Sequence, residues 1–339
     1  MKKSTWITVL IAIIVFLLSV QVKAETVGVF SEILKVDGFH LDDRQLYLVQ
    51  ETTVFIYSMK DFKLIKKFGK SGEGPEEFLG YAHVFPQPDH LMINSHGKIS
   101  IFSKDGTFIK ELKVPSGMGG GHFFQPMKDG YVGRKIVREN NVDYYAMITF
   151  DAQLNEIKEI YRVKALRPRK PGGKLHLFKR TITHRTYRGN LYASGKPGFH
   201  IDVVDAEGKV LYTVKHDYNP PKFTDRDEKD VRDYMKLRAG AQYAAAKDHF
   251  VFPQYFPEFY FFLPRDEKLY VGTWKRKDDS LEFLVFDSKG KLMKQVFVPF
   301  KFRAGLRACP LDIRKGKLYQ VVENENEELE LHVSTIDGV

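Results

Sequence analysis

One pattern recurs along most of this chain: an apolar run closing on Asp or Ser, a short turn, then a second apolar run. Phe55-Ile56-Tyr57-Ser58 leads to Lys63-Leu64-Ile65-Lys66. Ile99-Ser100-Ile101-Phe102-Ser103 passes Lys104-Asp105-Gly106 into Phe108-Ile109-Lys110. Met147-Ile148-Thr149-Phe150-Asp151 leads to Ile157-Lys158-Glu159-Ile160, and Ile201-Asp202-Val203-Val204-Asp205 passes Ala206-Glu207-Gly208 into Val210-Leu211-Tyr212. Phe283-Leu284-Val285-Phe286-Asp287 passes Ser288-Lys289-Gly290 into Leu292-Met293-Lys294. Alternating apolar runs joined by turns whose Asp and Gly tolerate positive φ read as β-hairpins. A sixth copy, Leu331-His332-Val333-Ser334-Thr335-Ile336, reaches Asp337-Gly338 without a second strand.

The residues before the turns are Ser58, Ser103, Asp151, Asp205, Asp287 and Asp337, at intervals of 45, 48, 54, 82 and 50. A period of about 40–50 with several strands per unit belongs to a propeller rather than a helical solenoid. Each copy also has an upstream strand: Leu46-Tyr47-Leu48, Leu91-Met92-Ile93, Tyr131-Val132, Leu191-Tyr192, Leu269-Tyr270-Val271 and Leu318-Tyr319. The expected fold is therefore all-β, a six-bladed β-propeller of four-stranded blades, with a small helical insertion between blades four and five. The last copy lacks a strand, while residues 25–36 hold an unassigned run, Val29-Phe30 and Ile33-Leu34. A ring in which residues 25–36 close the last blade accounts for both, and closure removes an exposed sheet edge. A two-sheet sandwich predicts neither the even spacing nor the incomplete last copy. Aromatic residues at 14% agree with a β-rich chain.

The interval of 82 places the insertion in residues 217–257. Thr224-Asp225-Arg226-Asp227 reads as a helix N-cap with an acid at the third helical position. Val231, Tyr234, Met235 and Leu237 follow at helical spacing. The helix reads either as a cap that packs its apolar stripe or as a lid over the funnel of the ring.

Residues 1–24 read as a signal peptide: Lys2 and Lys3, an uncharged apolar stretch from Trp6 to Val20, then Val22-Lys23-Ala24. The stretch is shorter than the roughly 20 residues that span a bilayer. The expectation is an exported propeller over residues 25–339, periplasmic or extracellular, with no stable membrane insertion after cleavage. Cleavage would remove three lysines (Lys2, Lys3, Lys23) and no acid, lowering the net charge from +10 to +7. The basic residues are scattered apart from Arg162, Arg169, Lys170, Lys174, Lys179 and Arg180, with no nucleic-acid-binding motif, so no nucleic-acid partner is expected. The single cysteine, Cys309, excludes an internal disulfide and a Cys-cluster metal site.

The run Phe68-Gly69-Lys70-Ser71-Gly72-Glu73-Gly74-Pro75-Glu76-Glu77-Phe78 resembles the G-x-x-G-x-G-P-x-E-F signature of the bacterial secreted six-bladed β-propeller family, itself similar to NHL-repeat propellers. A second resemblance is the inserted helix followed by Phe256-Pro257-Glu258-Phe259 just before a new blade. One departure is Glu76, where the family commonly has Gly. The resemblance implies the fold and an exported location, and it implies no common activity. Physically, the glycines and Pro75 suit a crossing from an outer strand to the next inner strand. A phosphate loop is excluded, because Lys70 precedes the Gly-rich pair and no helix follows.

His83, His122 and His184 each lie near the expected start of an inner strand, so they could converge on the central channel. Three imidazoles could hold zinc with one open position, which would resemble the NHL-type lyase that cleaves hydroxyglycine peptides. Gly72-Glu73-Gly74-Pro75 is also similar to the start of calcium-dependent gluconolactonase-like propellers. The surrounding motifs of neither family are present, so no cofactor is expected, with Zn or Ca kept as the alternative. Arg180, His184, Arg303 and Arg307 read as ordinary surface charge, with a basic rim suited to carboxylate, sulfate or phosphate as the alternative. The aromatic run over residues 255–262 reads as an inner strand whose first residues could form a stacking platform. The candidate ligand-binding residues are His83, His122, His184, Glu258, Tyr260 and Arg307, lining one funnel, with the helix near Tyr234 and Arg238 beside it. The expected function is an exported, non-catalytic, monomeric binding propeller that recognises a protein, peptide or glycan on one face. The alternative is a metal-dependent hydrolase or lyase with its site at the central channel.

Overall fold

The computed structural model describes residues 24–114, 124–165, 173–178 and 182–337. Six four-stranded antiparallel sheets are arranged as blades. From inner to outer strand, blade 1 is Gly38–Leu41, Gln45–Gln50, Thr53–Ser58 and Leu64–Phe68. Blade 2 is His83–Pro86, His90–Ser95, Lys98–Ser103 and Phe108–Lys113; blade 3 is Gln125–Met127, Gly130–Glu139, Val142–Phe150 and Glu156–Lys164. Blade 4 is Thr183–Tyr187, Asn190–Ser194, His200–Val204 and Val210–Lys215; blade 5 is Phe261–Arg265, Lys268–Lys277, Ser280–Phe286 and Leu292–Pro299. Blade 6 takes Leu311–Arg314, Lys317–Glu323 and Leu329–Thr335 from the end of the chain. Its outer strand is Glu25–Phe30, which pairs antiparallel with Leu329–Thr335, Phe30 opposite Leu329 and Glu25 opposite Val333.

The repeated Asp/Ser has a mechanical job. Asp205 Oδ1 accepts hydrogen bonds from the amides of Glu207 (3.0 Å) and Lys209 (2.8 Å), and Asp287 Oδ1 does the same for Lys289 and Lys291 (both 2.9 Å). Asp151 Oδ1 takes Gln153 and Asn155 in the same way. The side chain thus builds the turn that the sequence alone marks. Gly106, Gly208 and Gly290, each two residues before the next strand begins, have φ near +80°, which only glycine adopts freely.

The core lies between blades rather than within them. One apolar cluster fills each of the six blade–blade interfaces. Both faces of each middle strand are therefore buried, which is why strands such as Leu46-Tyr47-Leu48-Val49 read as continuous apolar runs. Lysines on outer strands reach the turn of the next blade: Lys66 Nζ to the Gly106 carbonyl (2.9 Å) and Lys294 Nζ to the Ile336 carbonyl (2.9 Å).

The insertion contains helix α1 (Asp225–Ala239) and the short helix α2 (Ala241–Ala246). Thr224 caps α1: its Oγ1 accepts from the Asp227 amide (3.3 Å), while Asp227 Oδ2 accepts from the Thr224 amide (2.9 Å). The expected inner strand over residues 255–262 needs correction. The inner strand of blade 5 is Phe261–Arg265, and Tyr255 instead forms a lone bridge with Lys222. The Pro257-containing stretch is the end of the crossing, since proline withholds an amide from a ladder.

Candidate functional site: the ring axis and the crossing face

In a ring of up-and-down blades, the crossings from outer to next inner strand share one face with the turns between second and third strands. The six inner strands line the axis, each with one edge free of a sheet partner. Side chains from the preceding blade serve two of those edges. Asp312 Oδ2 of blade 6 accepts from the Leu41 amide of blade 1 (3.4 Å), and Gln125 Oε1 of blade 3 accepts from the Thr186 amide of blade 4 (2.9 Å). Orphan backbone donors are thereby satisfied without a further strand.

Asp312 is the hub of the axis. Arg265 Nε and Nη2 donate to its two oxygens (2.9 and 3.3 Å), the Ile313 amide donates to Oδ1 (2.8 Å), and His40 Nδ1 stands 3.6 Å from Oδ2. Burial alone would raise its pKa; Arg265 foremost, then His40, more than offset this and hold the carboxyl far below the usual range. His40 also lies against the Phe85 ring, 6.1 Å between centroids. None of His40, Arg185, Arg265 and Asp312 stands out in the sequence. Their strands are short, and the only signal is a brief polar–apolar alternation upstream of each apolar strand, as in Leu311-Asp312-Ile313-Arg314.

The expected site residues fall in two places. His83 opens the inner strand of blade 2, half-buried, 4.9 Å from the Tyr81 ring, with His40 and Arg185 close enough to act on its charge. His184, on blade 4, is buried, and its Nε2 has no hydrogen-bond partner among the described residues. His122 lies outside the described residues, as do Arg180 and residues 1–23 of the expected signal peptide. Tyr260 and Arg307 meet around Leu306 on the crossing face, and half-buried Glu258 precedes Tyr260 by two residues. Among the described residues, no group of three or more His, Cys, Asp or Glu is arranged to hold a metal ion.

Burial pushes the pKa of His83 down to about 4 and that of His184 down to about 3, with neighbouring arginines adding to the shift. Both therefore stay neutral in the folded protein where the unfolded chain protonates, near 6.5. The unfolded state binds more protons below that value, so stability should fall as pH drops from about 6.5 towards 4, by up to ~1.4 kcal/mol per pH unit for each histidine. His184→Phe should flatten that slope, measured as the urea midpoint against pH. An unchanged slope would remove His184 from the account.

The Gly-rich crossing is held by an ammonium group. Lys98 Nζ, buried, donates to the carbonyls of Glu73 (3.1 Å) and Gly74 (2.6 Å) and pairs with Glu111 (3.0 Å). Glu77 accepts from the Gly74 amide (2.8 Å) and pairs with Lys70 (3.0 Å). The stretch forms a two-residue parallel ladder, Lys70–Ser71 with Glu77–Phe78, and these contacts fasten it to blade 2.

On the crossing face, α1 packs Val231 and Met235 onto Phe256, Trp274 and Leu306. Asp227 pairs with Arg276 of blade 5 (2.6 Å), and Asp230 Oδ2 accepts from the Leu306 amide (3.0 Å). The Arg307 guanidinium stacks 4.1 Å from the Tyr234 ring centroid, and Tyr260 donates its hydroxyl to the Leu306 carbonyl (3.0 Å). Gly305, at φ +75°, lies so close to the Tyr234 ring that a Cβ there would sit 2.6 Å from Cδ1. Between α1 and α2 runs an open groove of about 670 Å³, lined by Glu228, Arg232, Lys236, Tyr243 and Lys247 among others. Arg238 and Leu237 are exposed at the far end of α1.

Residues 32–250 match the DUF5128 family, described as a 6-bladed beta-propeller. The chain belongs to this family. No curated protein matches it. Among solved structures, it is similar to a Bacteroides fragilis protein described as a "Putative exported protein", at 10% identity and a TM-score of 0.57, covering 93% of this chain and 94% of that one. It is more loosely similar to Kluyveromyces lactis Hsv2 (13% identity, TM-score 0.42, 90% and 74% covered). The luciferin-regenerating enzyme compares alike (12%, 0.41, 94% and 96%). At such identities the likeness concerns the fold. Among the described residues, no helix of this six-bladed propeller is long and apolar enough to cross a membrane.

Proposed function

We propose that this propeller is an exported, non-catalytic binding protein, a relative of the NHL-repeat propellers, that captures a protein, peptide or glycan on its crossing face. One observation carries the reading. The crossing into blade 5 is enlarged into α1–α2 and locked onto the crossing into blade 6 through Asp230, Leu306, Arg307 and Tyr234. Residues far apart in sequence thereby share one rigid surface, with Arg307 exposed at its rim. A site mixing few polar groups with aromatic walls suits ligand recognition. Likeness to a protein described as exported agrees with the signal-like residues 1–24.

The test is a glycan array and a displayed peptide library probed with the purified protein and with Arg307→Ala. Saturable binding that weakens at least tenfold in the variant, with a nearly unchanged melting temperature, is expected. An exposed stacking pair contributes only about 0.5–1 kcal/mol to stability. Hydrolytic or eliminative turnover abolished by a chelator would instead support the metal-dependent alternative.

A further inference from the structure

Arg185 is the third residue of blade 4's inner strand, Thr183–Tyr187, and its side chain is exposed. Protein nevertheless surrounds the guanidinium, whose pKa is held below the usual arginine range, by desolvation first and then by Arg265. On an inner strand, and close enough to His83 of blade 2, Arg265 of blade 5 and Asp312 of blade 6 for the charges to interact, this group faces the axis of the ring. Arginine remains charged in any such place and carries five donors in a planar fork. Among the described residues one of these donors is used: Nη1 donates to the His184 carbonyl (2.9 Å).

No acidic side chain of the chain answers that charge. Residues 1–23, 115–123, 166–172, 179–181 and 338–339 contain no Asp or Glu, so every acidic side chain is among the described residues. None of them forms an ion pair with Arg185; Asp312 is near enough to act on its charge, but is engaged by Arg265, His40 and two backbone amides. Among the described residues Arg265 and Asp312 cancel, and Arg185 leaves one surplus positive charge on the axis. An encircled charge without a partner is costly and is ordinarily paired.

We propose that the axial channel is a binding site for the carboxylate group of a small organic acid, with the Arg185 guanidinium as its anchor. A planar carboxylate matches the fork in two parallel hydrogen bonds. A single surplus charge is balanced by a monoanion, whereas a doubly charged phosphate would leave a negative excess. The aromatic rings of Phe85 and Tyr81, beside His40 and His83, offer apolar wall to the organic part of such an acid. The site lies on the axis and does not depend on the crossing-face reading.

The experiment follows acetate and benzoate binding to the purified full-length protein by ligand-observed NMR at low salt. Acetamide, benzamide and inorganic phosphate are the comparators, and Arg185→Gln and Arg185→Lys the variants. At least one carboxylate should bind saturably at one site, with its amide at least tenfold weaker. Arg185→Gln should weaken it at least tenfold and Arg185→Lys by less. Arg185→Gln should melt no lower than the wild type, since the arginine has no acidic partner to lose. Four outcomes overturn the proposal: no saturable carboxylate binding, equal binding of acid and amide, tighter binding of phosphate, or unchanged binding in Arg185→Gln. If Arg185→Gln fails to fold, the arginine is a structural group and the proposal falls; if Arg185→Lys also fails, that conclusion is doubled. Capture of a peptide or glycan that depends on Arg307 should persist in Arg185→Gln, so failure of one reading leaves the other standing.

Discussion

Removal of Glu25–Phe30 is expected to abolish cooperative unfolding and drive the protein into oligomers. This strand is the fourth of blade 6, laid along Leu329–Thr335 at the far end of the chain. Phe30 is buried, 4.8 Å from Tyr57 of blade 1, and Ile33 and Val36 just beyond it are buried in the same interface. Burial of an apolar side chain of this size stabilises by about 1.5–3 kcal/mol. Removing the strand costs Phe30 outright and unmoors the other two, so the loss approaches the 5–15 kcal/mol stability of a whole domain. It also bares the edge of Leu329–Thr335, a template for pairing between molecules. Size-exclusion chromatography and denaturant unfolding would check both consequences. A monomer with an unchanged midpoint would contradict closure of the ring by this strand.

The second large effect is expected at Asp312. Asp312→Ala leaves the Arg265 guanidinium without its partner and the Leu41 amide without its acceptor. Breaking a buried pair from one side typically costs about 3–5 kcal/mol. The double variant Asp312→Ala/Arg265→Met should recover much of the loss, because the uncompensated charge goes too. The pH dependence has a definite sign. The folded-state pKa of Asp312 lies below its ordinary value of 3.8, so its contribution is present above that value and is lost as pH falls through the folded value. Wild-type protein should therefore lose stability in acid below about pH 4 that Asp312→Ala no longer has to lose. Equal midpoints for wild type and Asp312→Ala at pH 7 would show that the hub is dispensable.

The blades were legible because their signals are local. A turn built by Asp205 and Gly208 needs only the residues from 205 to 209, and the burial of middle strands on both faces writes continuous apolar runs. Thr224 and Asp227 announced α1 for the same reason, since a capping box closes within one helical turn. The inner strands were harder. At three to five residues, with one edge towards the axis, they carry neither a long apolar run nor strict alternation. Residues 255–260 misled because an aromatic run can pack equally well from a crossing as from a strand. Phe256 and Tyr260 do so against Trp274, at 4.5 and 4.2 Å between ring centroids.

The chain by itself determined the number of blades, the place of the helical insertion and the turn chemistry, all set by interactions between residues a few positions apart. Only the tertiary structure decided which charges meet. Asp312 finds Arg265 across 47 positions and Leu41 across 271, and Arg185 is left among them without an acidic side chain paired to it. Such pairings depend on which edge of a short strand faces the axis once six interfaces have closed. Ring closure fixes that orientation through the whole set of inter-blade contacts, so no window of sequence contains it.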